Sequence, residues 1–345
     1  MTDIKSMLPE ELEQYLLDLG QPKYRAKQLF SWLAGSTADF SGMTNLPRSL
    51  RETLEKNAYL NSPRCLRKLV SPTDGTVKYL WEMRDGAAVE TVVMRYARGL
   101  TVCISSQVGC RMGCAFCAST IGGLVRNLTA SEMLDEVLFS EADYGEPVSH
   151  IVLMGIGEPL DNYDQVLRFL RLVNHPEGRN IGMRHIALST CGLTQRVAAL
   201  AREGLPLTLA ISLHAPDDAT RSALMPANRG CGVEALLRCC EDYFSVTGRR
   251  ITFEYAMIGG VNDSPEQAEA LAALARRAGA HINLIPLNRV AERPFLPSDA
   301  MHWKQFCDIL KRKGANFTIR RSLGGDVDAS CGQLRRRWTE TERDG

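Results

Sequence analysis

Three cysteines, Cys110, Cys114 and Cys117, form a C-x3-C-x2-C array. Thiolates are soft ligands suited to iron-sulfur clusters, and a closed [4Fe-4S] cluster or a structural zinc ordinarily takes four protein ligands. Three leave one iron open to an external ligand. The amino and carboxylate groups of S-adenosylmethionine (SAM) suit that open position and bring the sulfonium next to the cluster, where reduction splits SAM into methionine and a 5′-deoxyadenosyl radical. Three packed cysteines, or a zinc loop completed by a fourth ligand elsewhere, also fit these residues taken singly, because cysteine is commonly buried. The compact spacing, directly after the first predicted core strand, favours the cluster.

Other predicted strand ends carry residues suited to the same cofactor. Gly155-Ile156-Gly157-Glu158-Pro159 offers glycines for close backbone approach and a carboxylate that accepts from an ammonium group. A tight turn between strand and helix explains the glycines equally well. Ser189 and Thr190 supply hydroxyls, although a helix cap is the plainer role for them. Ser212-Leu213-His214 ends another strand and Asn288 follows a later one. A lone histidine is more often structural than a ligand. These groups gain weight from convergence, because the carboxyl ends of parallel strands open on one side and surround one mouth.

The elements that must position this mouth are legible as alternation. The runs Leu100–Ile104, His150–Met154, His185–Leu188, Leu205–Leu213, Arg250–Met257, His281–Ile285 and Phe317–Ile319 read as buried strands. Helices are expected between them at 129–143, 162–174, 193–203, 233–246, 264–278 and 298–313. Thr129-x-x-Glu132 is a capping box, and Ser264-Pro265 places a cap before a first-turn proline. This alternation predicts an α/β fold, a partial (βα)6 barrel occupying 99–345. Residues 1–75 are expected to form a small helical accessory domain, and 76–98 short antiparallel strands turned by Asp85-Gly86.

The bulk composition sets limits. Lys and Arg total 41 against 40 Asp and Glu, so the formal charge of +1 provides no global field for nucleic acid, and any basic footprint is local. The start, Met1 to Gly20, has neither the basic nor the apolar region of a signal peptide, which predicts a reducing, cytoplasmic setting. There, 11 cysteines read as metal or redox chemistry in preference to structural bridges. No run of about 18 apolar residues occurs, so no membrane span is expected.

Four segments carry a resemblance: Ser105-Ser106-Gln107-Val108-Gly109-Cys110, Met154-Gly155-Ile156-Gly157-Glu158-Pro159, Ser212-Leu213-His214-Ala215-Pro216, and Asp328-Ala329-Ser330-Cys331-Gly332-Gln333-Leu334. With Tyr24-Arg25-x-Lys27-Gln28 they make the chain similar, over nearly its whole length, to the RlmN family of radical SAM methyltransferases. The resemblance implies methylation at carbon 2 of an adenine in 23S rRNA, at the peptidyl transferase centre, and of the adenine beside the tRNA anticodon. It assigns Cys110, Cys114 and Cys117 to a [4Fe-4S] cluster, and Gly157, Glu158, Ser189, Ser212, Leu213, His214 and Asn288 to SAM. It further implies that Cys331 carries the methyl group, that Cys103 forms a transient disulfide with it, and that Glu90 accepts a proton. From the residues alone, Cys103 and Cys331 also fit buried small hydrophobes and Glu90 a solvated strand position. Cys191, Cys239 and Cys240 receive no role.

Adenine C2 is electron-poor and its hydrogen is not acidic, which makes direct transfer from SAM unsuitable. In the family route one SAM methylates Cys331, a second supplies the radical that activates the S-methyl group, and Cys103 releases the methylated base. The expected partners are 23S rRNA, tRNA and an external electron donor such as flavodoxin or ferredoxin, with the enzyme a monomer. Arg335-Arg336-Arg337-Trp338 and the group Lys23, Arg25 and Lys27 are candidate RNA contacts. The related Cfr-type enzymes, which methylate carbon 8, tend to carry alanine where this chain has Pro159.

Overall fold

The computed structural model describes residues 1–321 and 323–327. Both helix starts marked in the sequence are built as reciprocal hydrogen bonds. The Glu132 N–H donates to the Thr129 hydroxyl at 3.2 Å, and the Thr129 N–H donates to the Glu132 carboxylate at 2.9 Å. Ser264 and Gln267 repeat this pair, with Pro265 in the first turn, where a missing N–H costs nothing.

The N-terminal portion comprises β1 (Thr2–Asp3), helices α1 (Pro9–Asp18), α2 (Tyr24–Leu33) and α3 (Arg48–Asn57), and β2 (Ala58–Tyr59), which pairs with β1 in parallel. Three antiparallel strands follow, β3 (Arg64–Val70), β4 (Val77–Glu82) and β5 (Ala88–Tyr96). The expected helical domain of 1–75 therefore ends early: its last helix stops at Asn57, and 64–70 belongs to the sheet. β3 was hidden because it is an exposed edge strand with a bulge between Cys65 and Arg67, so no apolar alternation marks it. The strands expected over 76–98 are present and are continuous with the main sheet.

The core begins at β6 (Gly99–Ile104), continues through the short hairpin β7 (Gln107–Gly109) and β8 (Leu124–Asn127), and enters α4 (Ala130–Tyr144). It then alternates through β9 (Val148–Leu153), α5 (Tyr163–Asn174), β10 (Ile186–Thr190), α6 (Thr194–Arg202) and β11 (Thr208–Ser212). Two helices, α7 (Asp218–Leu224) and α8 (Gly232–Thr247), precede β12 (Thr252–Met257). The order closes with α9 (Pro265–Arg277), β13 (His281–Pro286), α10 (Ala300–Arg312) and β14 (Phe317–Ile319). One ten-stranded sheet results, ordered β14-β13-β12-β11-β10-β9-β6-β5-β4-β3, with every pair from β6 to β14 parallel. β14 and β3 lie at opposite ends of this order, so the barrel is partial, as expected. β11 starts at Thr208, later than predicted, because Pro206 has no N–H for the ladder. The short helix α7 was missed, although Asp217 signals it by accepting the Thr220 N–H at 2.8 Å.

The helical portion shares the core of the barrel. Leu12, Leu16, Leu29 and Leu33 bury into one apolar cluster with Val102, Leu134 and Phe169. Between them lies a buried ion pair: Lys5 Nζ is 2.5 Å from Asp135 of α4 and donates to the Gly35 carbonyl at 2.9 Å.

Candidate active site

The cysteine loop is pinned at both ends by the β7–β8 hairpin. Inside it, the Cys110 N–H donates to the Gly123 carbonyl at 3.0 Å, and the Ala115 N–H donates to Leu224 of α7 at 2.8 Å. Thr120 donates to the carbonyls of Cys114 and Cys117, and Arg293 donates to Cys117 at 3.2 Å. Cys110, Cys114 and Cys117 all line a cavity of about 340 Å³ at the carboxyl ends of the parallel strands. Burial, reinforced by Cys117, pushes the Cys110 thiol up to about 12, and burial with the neighbouring thiols raises Cys114 as well. Cys110 and Cys114, held away from water, disfavour ionisation until a cationic group shares their charge, which suits a metal cluster.

Among the described residues no three His, Cys, Asp or Glu side chains converge on a point that one metal ion could occupy. Ligands of a [4Fe-4S] cluster bind different irons and need no common point.

Gly157, Glu158, Ser189, Ser212, His214 and Asn288 line the same cavity. The two glycines of the loop after β9 answer to packing. A Cβ on Gly155 would lie 2.6 Å from the Ile104 carbonyl, and one on Gly157, at φ +109°, would lie 2.7 Å from Gln107. Glu158 is buried, which raises its pKa, while it accepts backbone N–H groups of Cys191 at 2.7 Å and Leu160 at 3.0 Å. With side-chain hydrogen bonds from Thr190 and Cys191 added to these, it ties the β9 and β10 loops together. Ser189 does not cap α6, whose N-cap is Leu193; its hydroxyl instead faces that of Ser212 at 3.3 Å.

His214 holds a left-handed φ of +54°, a conformation uncommon outside glycine. Burial depresses its pKa to about 3, and its Nδ1 accepts the Ala256 N–H at 3.0 Å. The ring is therefore neutral, with the proton on Nε2 as a donor. Leu213 is the exception within its segment. Its side chain enters the apolar core, while its carbonyl accepts from Arg221 at 3.1 Å.

Cys103 also lines the cavity, and burial pushes its thiol up to about 11. Its partner across the antiparallel β5–β6 pair is Val92, another lining residue. Glu90, two positions earlier on the same face of β5, lies outside the lining but is buried, with Lys78 at 3.3 Å. It is thus not a solvated strand residue. Cys331, like Arg335, Arg336, Arg337 and Trp338, lies outside the described residues.

Sequence reasoning missed Cys191, Glu254 and Arg320, all of which line the cavity. Arg320 follows β14 and approaches Met154 Sδ at 3.8 Å, and Glu254 accepts from Asn283 at 2.9 Å. Cys191 and Arg320 directly follow strand ends, which was the available signal, whereas Glu254 lies within β12 and gave none. Cys240 is a core thiol, and half-buried Cys239 faces the Thr194 carbonyl at 3.4 Å. In the basic group, Lys23 pairs with Glu13 and Lys27 with Glu177, both at 2.5 Å, while Arg25 stacks over Tyr24. Exposed pairs of this kind are weak and exchangeable.

Residues 104–273 match the model of the radical SAM superfamily, and residues 2–60 match that of the ribosomal RNA large subunit methyltransferase N-terminal domain. The chain is 48% identical over 340 residues to the probable dual-specificity RNA methyltransferase RlmN of Clostridium acetobutylicum, covering 99% of both chains. It is 50% identical to the protein of the same name from Symbiobacterium thermophilum, over 97% of this chain and 91% of that one. This chain belongs to the RlmN family. A crystal structure of a radical SAM methyltransferase from Sphaerobacter thermophilus superimposes with a TM-score of 0.91 at 42% identity, covering 96% of this chain and 99% of that one. The fold expected from the sequence is thus the RlmN fold, and the N-terminal family match ends at residue 60, just after β2. Among the described residues no helix is long and apolar enough to cross a membrane.

Proposed function

We propose that this RlmN-family protein methylates carbon 2 of an adenine in 23S rRNA and of the adenine 3′ to the anticodon in tRNA, with Cys331 as methyl carrier and Cys103 as resolving thiol. The observation that carries this reading is that Cys103 and the three cysteines of the triad line one cavity. A [4Fe-4S] cluster held by Cys110, Cys114 and Cys117 supplies one-electron cleavage of SAM and hence a hydrogen-abstracting radical.

The remaining roles fall to the protein's own side chains. Ser189, Ser212 and Asn288 offer hydroxyl and amide groups to the ribose and amino-acid ends of SAM, and Nε2–H of His214 adds a fixed donor. Glu158, braced by two backbone N–H groups, turns its carboxylate to the SAM ammonium, which would compete with the Thr190 and Cys191 side chains for its oxygens. Glu90, on the sheet face that leads to Cys103, is the candidate acceptor of the adenine C2 proton. Burial keeps Cys103 as a thiol, so it is not spent in side reactions before the adduct forms. Once the adduct has given up the C2 proton and one electron, the electron passing to a one-electron acceptor, deprotonated Cys103 Sγ bonds to Cys331 Sγ as the Cys331 S–C bond breaks. That bond pair stays with the methylene carbon, which takes up a proton to become the methyl group, and an external dithiol then reduces the disulfide.

The test is anaerobic incubation of cluster-loaded enzyme with a 23S rRNA fragment, tRNA, a low-potential reductant and methyl-labelled SAM, followed by nuclease digestion and mass spectrometry. Label at adenine C2 in both RNAs is the expected result. Label at C8 would convert the reading to the Cfr type, and no label with intact 5′-deoxyadenosine formation would remove RNA as the substrate.

A further inference from the structure

Arg221 heads the completely buried side chains by volume and is 1% exposed. Its Nε donates to the Leu213 carbonyl at 3.1 Å, Nη2 to the carbonyls of Cys191 at 2.7 Å and Ser212 at 3.1 Å, and Nη1 to Asn228 Oδ1 at 2.7 Å. All four acceptors are neutral. Asp218, the carboxylate that acts on it, spends Oδ1 on Asn228 Nδ2 at 2.9 Å and on the Val233 N–H at 2.7 Å. A guanidinium keeps its proton in a protein, so α7 carries a full positive charge into the interior on neutral contacts alone. Burial of that kind is costly unless an anion arrives to use it.

The cysteine triad is where an anion would arrive. Cys191, whose carbonyl Arg221 holds, packs with Cys114, Leu224 and Met225 in a small apolar cluster separate from the main core. Leu224, less than one turn beyond Arg221 on α7, accepts the N–H of Ala115, which lies between Cys114 and Cys117. The helix that carries the charge thus also grips the cluster loop. Three thiolates around a [4Fe-4S] centre make it net negative, and reduction adds to that charge. Cluster potentials respond to nearby charge, and a water-excluded setting strengthens the response.

We propose that Arg221 is the built-in countercharge of the iron-sulfur centre: its buried guanidinium, bonded to the carbonyl of the Cys191 that packs with Cys114, favours the reduced cluster and raises its reduction potential, while its hydrogen bonds hold the β10 and β11 strand ends in place. The inference rests on the reading of Cys110, Cys114 and Cys117 as cluster ligands. Reduction adds one electron, supplied by dithionite in the test, and no bond to Arg221 forms or breaks. Arg221 is therefore a positioning and electrostatic residue that touches no reacting atom.

The experiment is an anaerobic redox titration, followed by electron paramagnetic resonance, on cluster-loaded wild type, Arg221→Lys, Arg221→Gln and Asn228→Asp, with iron and sulfide counted in each. Arg221→Lys keeps the charge and should keep the wild-type midpoint. Arg221→Gln removes the charge, and Asn228→Asp sets an anion against it while leaving the guanidinium in place. Both should lower the reduced-to-oxidised ratio at a fixed potential about tenfold, a midpoint lower by ~59 mV for a one-electron couple. Should Arg221→Gln fail to fold, Asn228→Asp decides. A wild-type midpoint in either loaded variant, or an equal shift in Arg221→Lys, overturns the countercharge role. Wild type that takes up no iron and sulfide overturns the cluster reading itself.

Discussion

The Ala256 backbone N–H donates to Nδ1 of His214 at 3.0 Å, joining the end of β11 to β12. This bond and full burial hold the ring neutral, with a pKa of about 3 against an ordinary 6.5. The folded state then binds fewer protons at this site than the unfolded state between those values, so the contribution to stability is present above about pH 6.5 and is lost as pH falls toward 3. The slope for one such group is about 1.4 kcal/mol per pH unit within the window. Urea unfolding from pH 7 to 5 should show that slope in wild type and a shallower one in His214→Gln. Equal slopes would show that His214 carries a proton in the folded protein.

Cys103→Ala separates a packing role from a chemical one. The truncation should cost on the order of 1 kcal/mol of stability. The variant should still bind its cluster and cleave SAM, yet accumulate protein covalently joined to RNA on a denaturing gel. Cys103→Ala/Cys331→Ala should lose that band. Normal turnover by a folded, loaded single variant would sink the two-cysteine route.

The thiol of Cys103, pushed up to about 11 by burial, predicts a pH dependence for its step. Only the thiolate attacks, so release of methylated RNA in a single turnover should rise about tenfold per pH unit through the neutral range, until another step limits. A pH-independent release rate would place the sulfur-sulfur step after the slow one, or remove Cys103 from it.

Gly155→Ala tests whether the loop after β9 is set by packing. The added methyl meets the Ile104 carbonyl at 2.6 Å, backbone that has no side-chain freedom to yield. A loss of about 1–3 kcal/mol is expected, the range for overpacking. Thermal unfolding of the cluster-free protein measures it without involving any ligand, and an unchanged midpoint would show that the strand end can shift.

Cys114→Ala should abolish both the bound iron-sulfur centre and reductive SAM cleavage, because two thiolates do not hold the cluster reliably. Iron and sulfide analysis reads the first, and 5′-deoxyadenosine formation the second. Full cluster content in the variant would transfer the ligand role to a neighbour, for which Cys191 is the candidate in the same cavity.

The fold was legible wherever local and tertiary signals agree. The capping boxes at Thr129 and Ser264 mark helix starts, and buried runs such as His281–Ile285 carry enough β-branched and apolar residues to declare a strand. β3 was illegible because an edge strand exposed on both sides has no burial to impose a pattern on its residues. In the site, the triad was readable because its spacing is unusual, and Ser212-Leu213-His214 because it ends a strand. Arg221 could not be found from sequence: its meaning comes from burial against carbonyls on two other elements, and an arginine in a short helix looks like ordinary surface. Glu158 shows the same limit, since its backbone partners appear only once the β9 and β10 loops are brought side by side.

The buried pair of Lys5 and Asp135 makes the N-terminal helices part of the same rigid frame as the barrel. Asp135 remains raised to about 6 even beside Lys5, so withdrawing the lysine would leave a carboxylate stranded in the interior. A swinging arm would break that contact at every stroke. The helical portion is therefore held at a fixed distance from the cavity, and whatever rests on it is held there too.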